Sequence, residues 1–250
     1  MKRTPVNICG IEINNITFEE LLINIHSFIL KGRQAYVVTP NVDHIVCLQK
    51  NPQFRDIYRN ADLVIADGVP LLWAARFLGT PLKGKISGSD LFPRLCEIAA
   101  AKGYRLFFLG GSEGSASRSA EVLKMKHPKI NIVGVYSPPF DFESSPSENQ
   151  KIVEMIKESK ADILFVGLGA PKQEKWIFEH KGEYKVPLSI GIGASFEFAS
   201  GKIKRAPLWM QKAGLEWFWR LSLEPKRLWK RYLITDMSFF WLVIRQRFFR

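Results

Sequence analysis

Cysteine is scarce in this chain. Cys9, Cys47 and Cys96 are an odd number with no C-x-x-C spacing, which speaks against a disulfide framework or a cysteine zinc site and for a reducing cytoplasm. Long apolar runs are missing too. No stretch reaches the roughly 20 apolar residues that a membrane-spanning helix needs. The opening "MKRTPVNICGIEINNITF" has two early basic residues but no continuous apolar segment of the kind a signal peptide carries. D-x-D is absent and the four histidines are far apart in the chain, so no metal site is expected. Neither G-x-G-x-x-G nor G-x-x-x-x-G-K-[ST] occurs, which leaves nicotinamide and P-loop assignments without a motif.

Acidic residues are the next shortage. Lys and Arg number 36 against 24 Asp and Glu, a net charge of +12. Most of this excess lies at one end. Residues 201–250 hold twelve Lys/Arg against Glu216, Glu224 and Asp236, a balance of +9, and five of the seven tryptophans: Trp209, Trp217, Trp219, Trp229 and Trp241. A basic, tryptophan-rich module calls for an anionic partner. Aromatic rings and cations together suit a lipid headgroup boundary. They equally suit packing of the rings on the core or on another subunit, with the arginines solvated.

The remainder alternates in period. "AYVVT", "DLVIA", "RLFFLG", "NIVGVY", "DILFVG" and "PLSIGI" read as buried strands, separated by helical patterns at about 69–78, 89–102, 113–126, 147–159 and 171–181. A first helix starts at the T-x-x-E box of Thr17 and Glu20 and stops at Gly32. This pattern predicts an α/β fold, a Rossmann-like, mostly parallel sheet with helices on both faces. From about 201 only helical segments follow, near 208–223 and 226–247, separated by Pro225. The expected organisation is therefore a core over 1–200 and a helical basic appendage over 201–250.

In open α/β sheets ligands sit beyond the carboxyl ends of the strands. Four such ends carry unusual residues: Thr39 and Asn41 in "VVTPNVDH", Asp67-Gly68 in "LVIADGVP", Gly110, Gly111, Ser112 and Gly114 in "FFLGGSEGSA", and Gly167 and Gly169 in "FVGLGAPKQE". Glycine lets backbone approach a ligand closely, and N–H groups at a helix start attract phosphate. Either loop alone is accounted for as a tight βα turn; the two together point to a nucleotide. Asp67 is placed to act as a general base or to cap the helix that begins near Val69. Without a metal, a leaving diphosphate would be neutralised by backbone N–H groups and by Lys/Arg.

"TPNVDHI", "ADLVIADGVPLLWAARFLG", "SGSDLFPRL", "FFLGG", "VGLGAPKQEKWI" and the long "GASFEFASGKIKRAPLWMQKAGLEWFWRLSLEPKRLWKRYL" occur in order over residues 35–233. This set closely resembles the WecG/TagA/CpsF family of bacterial glycosyltransferases. The resemblance implies an inverting transferase that moves a sugar from a UDP donor to a polyprenyl-diphosphate-linked sugar, with no cofactor beyond the donor. Its setting would be the cytoplasmic face of the plasma membrane, where the basic appendage meets an anionic surface. N-acetylmannosamine is the favoured sugar; glucose and N-acetylmannosaminuronate are the alternatives. A homo-oligomer is compatible with this reading.

Carried over by position, Asp67 corresponds to the base, and Thr39, Asn41 and Gln173 to the sugar and diphosphate pocket. Gly110, Gly111, Ser112, Gly114, Tyr136, Gly167, Gly169, Gln173 and Glu197 correspond to the nucleotide site. Glu197 stands where the family often has Asp. Arg220, Arg227 and Arg231 match the appendage's basic positions, near one face if its helix bridges Pro225. Lys85 replaces the family's usual arginine before "SGSD", which keeps the charge but loses the two-pronged grip on phosphate. Lys172 and Glu174 are expected to be solvated or structural. Against this stand a nucleic-acid-binding module built on the tail, though no helix-turn-helix, zinc-finger or RRM signature occurs, and a nicotinamide enzyme on the same sheet.

Overall fold

The structure, a computed structural model, describes residues 5–249; residues 1–4 and Arg250, included in the expected core and tail, lie outside the described residues. The chain divides into two compact units, both discontinuous. One holds the residues up to Phe18, Thr39–Ser87 and the chain from Lys204 onward; the other holds Glu19–Val38 and Gly88–Ile203.

The second unit is the α/β body. Its strands are β3 (Ala35–Val38), β5 (Arg105–Gly110), β6 (Asn131–Tyr136), β7 (Ile163–Gly167) and β8 (Leu188–Gly191). They lie in the order β3-β8-β7-β5-β6, every pair parallel. The residues of β3, β5, β7 and β8 are almost all buried, as a sheet covered on both faces requires, while the edge strand β6 is half-buried to exposed. Its helices are α1 (Phe18–Lys31, of which all but Phe18 falls here), α5 (Gly88–Lys102), α6 (Ser115–Lys126), α7 (Pro146–Ser159), α8 (Lys172–Tyr184) and the short α9 (Ser195–Ala199).

From β5 the chain steps to β6 on one side, then back across β5 to β7 and on to β8. Right-handed crossovers send helices to opposite faces when the direction reverses. Accordingly α6 packs with α9, and α7 with α8. The reversal falls between β5 and β7, whose carboxyl ends flank the crevice where ligands bind such sheets. Beneath it sit four fully buried rings, Phe92, Phe108, Phe165 and Phe196. Phe92 meets the other three edge-on at 4.9–5.4 Å between centroids, within the range aromatic pairs prefer.

The first unit opens with a hairpin, β1 (Val6–Ile8) and β2 (Ile11–Ile13). Its two turn residues, Cys9 and Gly10, both have positive φ, the twist that two-residue hairpins favour. Then come α2 (Val42–Lys50), α3 (Pro52–Arg59), the two-residue β4 (Leu63–Val64) and α4 (Val69–Phe77). The C-terminal segment completes this unit with α10 (Leu208–Lys212), α11 (Glu216–Leu223), α12 (Pro225–Lys230) and α13 (Met237–Phe248). Between α12 and α13 the winding widens to a π-helical turn over Arg231–Thr235. Pro225 does not lie inside a continuous helix. It opens α12 after Glu224 has left helical geometry, because a proline suits a helix's first position and clashes in its interior. The separation expected at Pro225 is present, so the condition for Arg220, Arg227 and Arg231 to share the face of one continuous helix is not met.

Candidate functional site

In the second unit the two glycine-rich loops are neighbours. Gly110 and Gly167 are register partners at the ends of β5 and β7, and the Gly111 N–H donates to the Gly167 carbonyl at 2.7 Å. The approach is close enough to demand glycine. A Cβ on Gly110 would lie 2.8 Å from the Gly167 oxygen, and one on Gly167 would lie 2.7 Å from the Phe196 ring. Gly114 and Gly169 differ: nothing stands within 4 Å of an added Cβ, and their need is for positive φ, +72° and +76°. These loops lead into α6 and α8. The N-cap residues of both helices, Gly114 and Pro171, make no side-chain capping bond, whereas α2, α3 and α7 are capped by Asn41, Asn51 and Ser145. Two helix starts without capping side chains at a switch point are suited to an anion.

The first loop is latched from below. Glu197 of α9 accepts from the Ser112 N–H at 2.7 Å and from the Ser115 hydroxyl at 3.2 Å. Lys202 donates to the Ser112 hydroxyl at 3.0 Å. The Ser112 amide, a candidate for the nucleotide, is thus already taken by a carboxylate of the same unit. Tyr136 ends β6 with its hydroxyl bonded to Glu148 and to the Lys151 ammonium, and Lys151 also covers its ring. Beside it, the Ser137 hydroxyl donates to the Gly110 carbonyl at 2.9 Å.

Gln173 is buried, and both ends of its amide are in use. Its Nε2 donates to Glu174 at 2.7 Å and its Oε1 accepts from the Gly193 N–H at 3.0 Å. Glu174 is fully buried, so of the two expectations for it the structural one holds and the solvated one fails. Burial pushes its carboxyl up to about 7, against the pull of the Gln173 amide and of its own backbone N–H. Lys172 is partly exposed and pairs with Glu143 at 2.7 Å.

The first unit gathers the other set. Asp67 donates its N–H to the Pro40 carbonyl, between Thr39 and Asn41, at 2.8 Å, and the Ile86 N–H donates to the Ala66 carbonyl at 2.9 Å. Three separated stretches, bearing Thr39, Asn41, Asp67 and Lys85, are thereby stitched together. Thr39 is buried; Asn41, Asp67 and Lys85 are half-buried. Asp67 does not cap α4, whose N-cap is Gly68 at φ +110° with no side-chain bond. Asn41 does cap α2, accepting from the His44 N–H at 3.3 Å, a role the sequence reading did not give it.

Arg231 joins this set from the tail. Its guanidinium lies 3.5 Å from the Asn41 Oδ1, 3.3 Å from Asp43 and 4.0 Å from Asp236. Burial pushes Asp236 up to about 6, opposed by Arg231. Burial and the Arg231 charge together hold the buried His44 neutral, down to about 3, while its Nδ1 bonds the Tyr58 hydroxyl at 2.8 Å. Lys85 pairs with Glu216 at 2.9 Å, and Arg205 shares that carboxylate at 3.6 Å, so two cations on one anion leave a local +1. Arg220 and Arg227 both pair with Glu224, at 3.8 and 2.6 Å, and with Arg231 their charges act on Tyr232.

Comparison with known proteins identifies the family. The model of the glycosyl transferase WecG/TagA/CpsF family matches residues 6–250. An N-acetylglucosaminyldiphosphoundecaprenol N-acetyl-beta-D-mannosaminyltransferase of Bacillus spizizenii is 31% identical over 207 residues, 83% of this chain and 78% of that protein. A Staphylococcus aureus protein of the same name is 28% identical over 225 residues, 89% of this chain and 86% of its own. With a family match across nearly its whole length, the chain belongs to the WecG/TagA/CpsF family and is a glycosyltransferase.

Proposed function

We propose that this protein transfers an N-acetylmannosamine-type hexose, with inversion, from a UDP-sugar to an N-acetylglucosamine carried on a polyprenyl diphosphate, in the synthesis of a cell-surface polymer. The observation that carries the donor half is the meeting of two glycine-rich loops where the sheet of the second unit reverses direction. The helix starts of α6 and α8 suit a diphosphate there. The acceptor half is supported by the activity for which the two relatives are named.

In this reading Asp67 takes the proton of the acceptor hydroxyl as that oxygen attacks the anomeric carbon from the face opposite UDP. The bond from that carbon to the UDP oxygen breaks, and its electron pair leaves on the diphosphate. Backbone N–H groups at the starts of α6 and α8 stabilise that charge. Arg231, beside Asn41, serves the acceptor diphosphate. Glu197, its Oε1 held by Ser112 and Ser115, accepts from the nucleoside in this reading.

The C-terminal helices expose Trp209, Phe218, Trp229 and Trp241 among cations, a composition suited to an anionic membrane surface. Among the described residues no helix is long and apolar enough to cross a membrane. We place the protein at the cytoplasmic face of the bacterial plasma membrane, held peripherally. A panel of UDP-sugars offered with an N-acetylglucosaminyl-diphosphate-lipid analogue, followed by UDP release and product mass, tests the reading. UDP-N-acetylmannosamine is expected to be the productive donor, and no transfer from any UDP-sugar refutes the proposal.

A further inference from the structure

Glu174 is the least explained polar group in the second unit. It is fully buried and one of its oxygens, Oε2, has no hydrogen-bond partner. The elements packed against α8 are α7, β3, β7 and β8. Among the described residues no charged group on them acts on this carboxyl, whose polar neighbours are the Gln173 amide and its own backbone N–H. The cations of α8 itself are engaged elsewhere, Lys172 with Glu143, Lys175 with Glu179 and Lys181 over the Tyr36 ring. An ionised carboxylate in such a place carries a large desolvation cost with nothing to offset it, so the neutral acid is the form the site accommodates.

What the carboxyl does touch is informative. Its Oε1 fixes the orientation of the Gln173 amide, since Nε2 must donate to Glu174 and Oε1 must accept from Gly193. Gln173 lies so close to the next strand that a Cβ on Gly191 would sit 2.7 Å from its Nε2. A chain of contacts therefore runs from the first turn of α8, after β7, to the turn that leaves β8. These adjoining strand ends border the crevice assigned above to the nucleotide-sugar.

We infer that Glu174 is a positioning residue: its buried, protonated carboxyl locks the Gln173 amide and, through it, the Gly191–Gly193 turn into the shape that receives the donor. It touches no substrate and transfers no proton. Ionisation would put an uncompensated charge in a dry site; the carboxylate would still accept from the Gln173 amide, and the loosening comes from water drawn in to solvate the charge. Donor affinity then falls as pH rises through the Glu174 midpoint. The use of this lock in donor binding rests on the proposed function; the protonated carboxyl and the fixed amide do not.

Three readouts on the full chain test this. The 13Cδ signal of Glu174 should titrate near 7, and the side-chain amide protons of Gln173 should broaden or shift with the same midpoint. Glu174→Ala should raise the KM for the UDP-sugar by about tenfold, the effect of losing one buried hydrogen bond, with a smaller change in kcat. Glu174→Gln, neutral at every pH, should restore KM to within about twofold of wild type and flatten its rise with pH. A carboxyl that titrates like an exposed glutamate overturns the inference. So does an alanine variant with unchanged KM and unchanged Gln173 signals, or a glutamine variant as impaired as the alanine. A wild-type protein that turns over no UDP-sugar would instead sink the proposed function, and the NMR titration would still decide the state of Glu174.

Discussion

Replacing Gly110 with alanine separates the two reasons a glycine can stand in these loops. Gly110 has φ +97°, and its added Cβ would meet the Gly167 oxygen and carbon at 2.8 and 2.9 Å and the Leu168 Cδ2 at 2.9 Å. Two of those three atoms are backbone of the neighbouring strand end, which cannot swing aside as a side chain can. The positive φ costs an L-residue about 1–2 kcal/mol, and forcing extra volume into a packed site costs about 1–3 kcal/mol more, so the whole is about 2–5 kcal/mol. Gly114 supplies the control. Its φ is +72° and nothing lies within 4 Å of its added Cβ, so Gly114→Ala should carry only the conformational part, about 1–2 kcal/mol. Urea unfolding of both variants at equal m-value gives the two costs, and UDP titration reads the site. Gly110→Ala should also weaken UDP binding, because relieving the clash parts β5 from β7 and breaks the Gly111–Gly167 hydrogen bond. Equal stability losses in the two variants would refute the packing account of these loops.

Other outcomes follow from the same geometry. Asp67→Asn should lower kcat by about 10²–10⁴-fold, the usual share of a general base, while leaving UDP affinity unchanged; calorimetry and steady-state rates check both halves. His44 has its folded pKa depressed from 6.5 to about 3. The stability it contributes is therefore complete above pH 6.5 and is lost as pH falls from there towards 3, up to about 5 kcal/mol in all. The stability difference between His44→Gln and wild type, followed by denaturant midpoint against pH, should shift by that amount across the window, and a difference independent of pH contradicts the burial argument. Binding to vesicles containing anionic lipid should weaken steeply with salt, and alanine at Trp209 and Trp241, 65% and 61% exposed, should weaken it further in a sedimentation assay. Binding that survives high salt and both substitutions would favour rings that serve a protein contact.

The periodicity of the chain made most of the second unit legible. Its five strands and the helices α5 to α7 fall within a residue or two of the positions read from apolar runs, because buried parallel strands and amphipathic helices write themselves directly into residue order. Helix α8 runs three residues past its expected end, to Tyr184. The hairpin at Val6–Ile13 escaped for want of a turn signal: its corner is Cys9-Gly10 where Asn-Gly or Asp-Gly would announce it. Helix α2 was hidden behind Asn41, which was weighed as a ligand although an asparagine three residues before a histidine amide is also a cap. Helix α3 does carry its signal, Asn51 as cap and Pro52 at the first position.

Sites made by residues distant in the chain were less legible. Thr39, Asn41, Asp67 and Lys85 were singled out one by one, but the joining of Arg231 to Asn41 and Asp43 spans nearly two hundred residues and depends on a π-helical turn that no local pattern announces. The pairing of Lys85 with Glu216 is of the same kind. Glu174 shows a different limit. A glutamate in the first turn of a helix is ordinary on electrostatic grounds, and only the packing around it reveals that it is dry.

The most direct measurement is the transfer reaction itself: purified protein, UDP-N-acetylmannosamine and an N-acetylglucosaminyl-diphosphate-lipid analogue, with the lipid product weighed by mass spectrometry. A disaccharide-lipid one N-acetylhexosamine heavier than the acceptor, formed with one UDP released per transfer and abolished by Asp67→Asn, is the predicted result. Folded protein that binds UDP yet never extends the lipid with any UDP-sugar, or an Asp67→Asn protein that extends it at the wild-type rate, would contradict the account.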